Sequence, residues 1–105
     1  MNNKFRRDGT PYPDGQEGLM EWSKDMEDPN KKIVEQTELP NGKCISTVWL
    51  GLNHRFEEGK PLIFETMVFP KKGDYGELDT KRYSTEIEAI KGHREMVEKW
   101  ANKID

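Results

Sequence analysis

Cysteine is all but missing from this chain of 105 residues: Cys44 stands alone, so no disulfide can close within it. The opening residues hold no apolar run of the signal-peptide kind, and nowhere does such a run approach the ~20 residues that a membrane-spanning helix needs. A reducing cytoplasm and no membrane contact are the expectations. Apolar residues are scarce, 32% against 35% charged, so the core must be small. Charge of one sign is lacking as well: 17 basic residues face 20 acidic ones, and the near-balance holds in each third of the chain. Without a basic stripe, binding that neutralises nucleic-acid phosphates has no footprint, and no acidic block imitates a nucleic-acid backbone. The local signatures of enzymes are absent too. There is no glycine-rich phosphate loop, no Gly-x-Ser-x-Gly elbow, no His-Glu-x-x-His and no Cys-x-x-Cys.

What the chain does have is aromatic mass. Three Trp, three Tyr and four Phe supply the large buried areas that disordered segments lack. One folded domain over 17–105, preceded by an extended arm over 1–16, is the expected organisation. In the arm, Asp8-Gly9-Thr10-Pro11-Tyr12-Pro13-Asp14-Gly15 denies both helix and central strand. It is either a loose terminus or a strap docked through Phe5 and Tyr12.

Two runs rich in β-branched and aromatic residues organise the rest, and they predict strands over 44–50 and 62–69. A weaker first strand over 33–39 ends at Pro40-Asn41-Gly42, where proline suits the second position of a type I turn and glycine the left-handed position after it. A three-residue loop would pair Leu39 with Lys43 and Thr37 with Ile45; a two-residue Asn-Gly loop would shift the pairing by one. Alternation puts Cys44, Ser46, Val48 and Leu50 on one face and Ile45, Thr47 and Trp49 on the other, and divides Leu62, Phe64 and Val68 from Ile63, Met67 and Phe69. Neither face is wholly polar, so both should be covered. Cys44 then reads as a small packed hydrophobe, not a reactive thiol.

Helical spacing appears twice. Over 17–27, Leu19, Met20, Trp22 and Met26 share one side, and Asp28-Pro29-Asn30 ends the run. After a loop over 70–79 and a short extended piece at Tyr83, Thr85 with Glu88 forms a capping box, with Ser84 the alternative cap. A helix over 85–102 follows, striped by Ala89, Ile90, His93, Met96, Val97, Trp100 and Ile104. The fold class is therefore α+β: a three-stranded antiparallel meander packed by the C-terminal helix, with the short N-terminal helix or a second copy of the chain on the other face.

Several stretches carry a resemblance: Leu39-Pro-Asn-Gly42, Ser46-Thr-Val-Trp-Leu-Gly-Leu-Asn-His54, Pro61-Leu-Ile-Phe-Glu-Thr-Met-Val-Phe69, Arg82-Tyr-Ser-Thr85 and Gly92-His93. Together they span most of the chain, which resembles a family of small proteins encoded by tailed bacteriophages and prophages. The resemblance implies a phage origin and a host cytoplasm; it brings no catalytic residue with it.

The eleven-residue loop over 51–61 is long for a hairpin connection, and such loops often bind something. Its candidate binding residues are Asn53, His54, Arg55 and Phe56, together with Glu65 on the adjoining strand, where a carboxylate needs a partner such as Arg55 or Arg82. His54 could serve as a general base in a small enzyme or in a ligand- or metal-binding protein, but equally could cap the loop while Glu65 makes a structural ion pair. His93, inside an apolar stripe, reads as a hydrogen-bonded core residue. No pair of His54, His93, Glu65, Asp74 and Asp79 has the spacing of a metal motif, so neither metal nor cofactor is expected. A single-stranded nucleic-acid platform of Trp49, Phe64 and Phe69 is a third reading, weakened by Glu35, Glu38 and Glu65. Two-sided apolar strands without catalytic signatures favour a non-enzymatic protein that associates with itself as a homodimer or with a host protein.

Overall fold

The computed structural model describes residues 3–55, 57–74 and 76–102. Among them the order is α1 (Gly15–Met26), α2 (Pro29–Lys32), β1 (Ile33–Glu38), β2 (Cys44–Trp49), β3 (Phe64–Phe69), β4 (Asp79–Tyr83) and α3 (Glu86–Ala101). The strands form one antiparallel sheet in the order β1-β2-β3-β4, packed by α3. The α+β class and the C-terminal helix stand as read from the sequence. The strand number does not: the sheet has four strands where three were expected, and there are three helices where two were expected. β4 reads Asp-Thr-Lys-Arg-Tyr, with a single large apolar residue, because an edge strand can keep its charges in water. α2 escaped notice because Asp28-Pro29 ends one helix and starts the next. The Asp28 side chain accepts from Asn30 N, and Pro29 takes a first-turn position where its missing N–H costs nothing.

The β1–β2 hairpin has the three-residue loop. Leu39 N donates to Lys43 O at 2.7 Å, Thr37 lies opposite Ile45, and Gly42 holds φ of +91°, a conformation that favours glycine. On β2 burial alternates strictly: Ile45, Thr47 and Trp49 are buried, and Cys44, Ser46 and Val48 are half-buried. The register aligns the buried set with Val68, Thr66 and Phe64 of β3. This is the face under α3, where Ile45, Val68 and Leu39 meet Met96 and Trp100. The α3 capping box is complete, with Thr85 accepting from Glu88 N and the Glu88 side chain from Thr85 N. Of the predicted stripe, Ala89, His93, Met96 and Trp100 are buried, Ile90 and Val97 are half-buried, and Ile104 lies outside the described residues.

The N-terminal helix does not lie across the opposite face. α1 rests on the loop after β2, Trp22 Nε1 donating to Gly51 O at 3.2 Å, and Trp22 and Met26 pack on the cluster around Trp49, Phe64 and Tyr83. Leu19 and Met20, expected to share that inner side, are 48% and 64% exposed. The arm joins α1 here. Phe5 N donates to Gly51 O, Trp49 Nε1 to Phe5 O, and the Tyr12 ring sits 6.4 Å from that of Trp49. Arg6 pairs with Glu21 and Arg7 with Glu86, each through two guanidinium nitrogens, so residues 4–12 form a docked strap. Arm, α1 and α3 therefore all serve the same side of the sheet, and among the described residues neither core cluster includes Val48, Met67 or Phe69 of the other side.

Candidate functional site

The loop between β2 and β3 is held by Asn53. Its Oδ1 accepts from Arg55 N and from Leu62 N, both at 2.9 Å, so one side chain ties the two ends of the loop together. His54, the cap considered from the sequence, contributes only backbone among the described residues: its N–H donates to Leu62 O. Arg55 turns back along the loop to donate from Nε to Lys60 O at 2.7 Å. Phe56 lies outside the described residues. Glu65 sits beyond the loop on β3, its side chain 10% exposed, and accepts from Arg82 Nε at 2.8 Å across the β3–β4 register. No hydrogen bond or ion pair joins Glu65 to His54 or Arg55 among the described residues. The four described candidates thus divide into a self-tied loop and a separate ion pair.

The most buried polar chemistry lies under α3. His93 is 0% exposed, with Nδ1 2.7 Å from Thr47 Oγ1 and Nε2 2.8 Å from Thr37 Oγ1. Thr47 Oγ1 continues to Thr66 Oγ1 at 2.6 Å. Burial lowers the imidazole's pKa, and Glu35, 3.5 Å from Nε2, pulls it the other way. Two hydroxyl partners satisfy a neutral imidazole whichever nitrogen carries the proton, so His93 is the hydrogen-bonded core residue expected. Sequence reasoning missed the threonines. A polar residue on a core face looks like a break in the pattern until its partner across the sheet is known.

The uncovered face carries Cys44, Ser46 and Val48 on β2 beside Phe69, Met67 and Glu65 on β3. Toward the Cys44 end it dips into a cavity of about 310 Å³, whose lining includes Cys44, Ser46 and Phe69 with Glu38, Lys71 and Lys72. Gln36 Nε2 donates to Ser46 Oγ at 3.2 Å. Of the three aromatics proposed as a nucleic-acid platform, Trp49 and Phe64 are buried on the α3 side, and Phe69 stands on the opposite face. They cannot stack bases together. No group of three or more His, Cys, Asp or Glu side chains that could hold a metal converges among the described residues. Nor, among these, is any helix long and apolar enough to cross a membrane. No protein-family model matches the chain, and no curated protein or solved structure does.

Proposed function

We propose that this chain is a non-enzymatic accessory protein of the tailed-phage kind its sequence resembles, acting in the host cytoplasm by protein association through the sheet face that no helix covers. One observation carries the reading: Val48, Met67 and Phe69 line up on that face, half-buried, and belong to neither core cluster among the described residues. A sheet that faced only water would alternate to polar residues there. Division of the loop candidates from Glu65 supports a non-catalytic role, since among the described residues the Glu65 carboxylate is taken up by Arg82 and not by a side chain of that loop.

Cys44 is the natural reporter because it lies on that face and is the chain's one thiol. Its rate of alkylation by iodoacetamide under reducing conditions should fall when the protein is concentrated, or when dilute protein is placed in extract of a host cell. Met67→Asp should leave the fold intact and abolish this protection. Equal rates in dilute, concentrated and extract samples would refute the reading.

A further inference from the structure

The two ends of the open face carry opposite free charge. At the end where β1 turns into β2 and β3 leaves the sheet, Lys71, Lys72 and Glu38 are exposed and line the cavity, leaving that end net positive. At the far end, in the loop joining β2 to β3, Glu57, Glu58 and Lys60 are exposed, leaving that end net negative. None of these six side chains has a hydrogen-bond or ion-pair partner among the described residues, whereas Arg6, Arg7, Lys31, Arg82 and Lys99 are all paired with carboxylates. Between the two ends lie the half-buried apolar side chains of Val48, Met67 and Phe69.

We propose that the occupant of this face is a second copy of the chain, turned end for end, so that Lys71 and Lys72 of each copy meet Glu57 and Glu58 of the other. The inference rests on the association reading above and names its partner. A two-fold axis lying between the sheets and across the strands exchanges the two ends, and both charge contacts form at once. An axis along the strands would instead set lysines against lysines and glutamates against glutamates. Four strands about 4.8 Å apart and about 20 Å long give a footprint on the order of 400 Å² per copy. That is roughly half the contribution of one partner to a standard interface, so the dimer is weak and its orientation depends on the charges at the rim.

Sedimentation velocity from micromolar to millimolar protein, at low and high salt, tests this with two exposed double variants. Wild type should self-associate, less so at high salt. K71E/K72E and E57K/E58K should each dimerise at least about tenfold more weakly, and an equimolar mixture of the two should regain the wild-type affinity, because both contacts are restored in the mixed pair. Circular dichroism checks that each variant folds. A wild type monomeric at every concentration, or a mixture no better than its components, overturns the second-copy assignment. Cys44 alkylation separates the two claims: protection in extract without self-association defeats this inference alone, while protection nowhere defeats the association reading as well.

Discussion

Gly92→Ala sets helix propensity against packing, and the structure decides the sign. In an ordinary helix the change stabilises by about 0.5–1 kcal/mol, since glycine loses more backbone freedom on folding. Here a Cβ would stand less than 3.0 Å from three atoms of Tyr83, namely Oη, Cζ and Cε1, where contact is normally 3.4–4 Å. Helix or ring would have to retreat by roughly 1 Å, a distance that close-packed interiors do not give up freely. Tyr83 has no room: it is 6% exposed in a cluster with Phe64, Trp49 and Ala89, and its Oη has no hydrogen-bond partner among the described residues. Overpacking of this kind costs about 1–3 kcal/mol, so after the propensity gain the variant should be about 1–2 kcal/mol less stable. Urea denaturation followed by tryptophan fluorescence measures the shift, which in a domain of this size also lowers Tm by about 4–8 °C per kcal/mol. In a Tyr83→Leu background, where the ring is gone, the same substitution should cost little or stabilise. A Gly92→Ala protein as stable as wild type would refute the tight α3–β4 seam.

Stability should also depend on pH through His93. Burial lowers its pKa in the folded state, so the unfolded chain binds the proton first. Stability is then fully present above about pH 6.5 and declines as pH falls below it, at up to about 1.4 kcal/mol per pH unit. His93→Gln should flatten that limb of the pH profile; an unchanged slope would mean the imidazole is not buried neutral. Thr85→Ala removes the acceptor for Glu88 N and opens the capping box, and should cost about 1 kcal/mol in chemical denaturation. Asn53→Ala strips the acceptor shared by Arg55 N and Leu62 N. It should cost about 1–2 kcal/mol and speed amide exchange at Leu62, whereas His54→Ala should leave that exchange nearly unchanged.

The parts of the fold legible in the sequence were those fixed by local chemistry. Pro40-Asn41-Gly42 specifies a turn whose backbone few other residues adopt, and that turn sets the register of β1 against β2 down to Thr37 and Ile45. Thr85 and Glu88 satisfy each other's backbone and so announce the start of α3. β4 was illegible for the converse reason. Its pairing with β3 supplies the hydrogen bonds, while Thr80, Lys81 and Arg82 stay in solvent, so no periodic apolar signal is needed. The side of the sheet on which α1 would dock was equally hidden, being set by Trp22 reaching Gly51 and by two arginine–carboxylate pairs across long sequence separations.

The described candidate residues do not gather in one place because they answer to different structural needs. Asn53 closes a loop, Arg55 braces it, and Glu65 answers Arg82 on the neighbouring strand, so each candidate whose side chain has a partner spends it locally. A side chain already satisfied by its own fold has little left to offer a ligand. Function is better sought where groups remain unsatisfied, and on this sheet face those include the apolar atoms of Val48, Met67 and Phe69 and the exposed charges at its two ends. Such a surface gains free energy by removing area from water and gains orientation from its rim, which is what the proposed association asks of it.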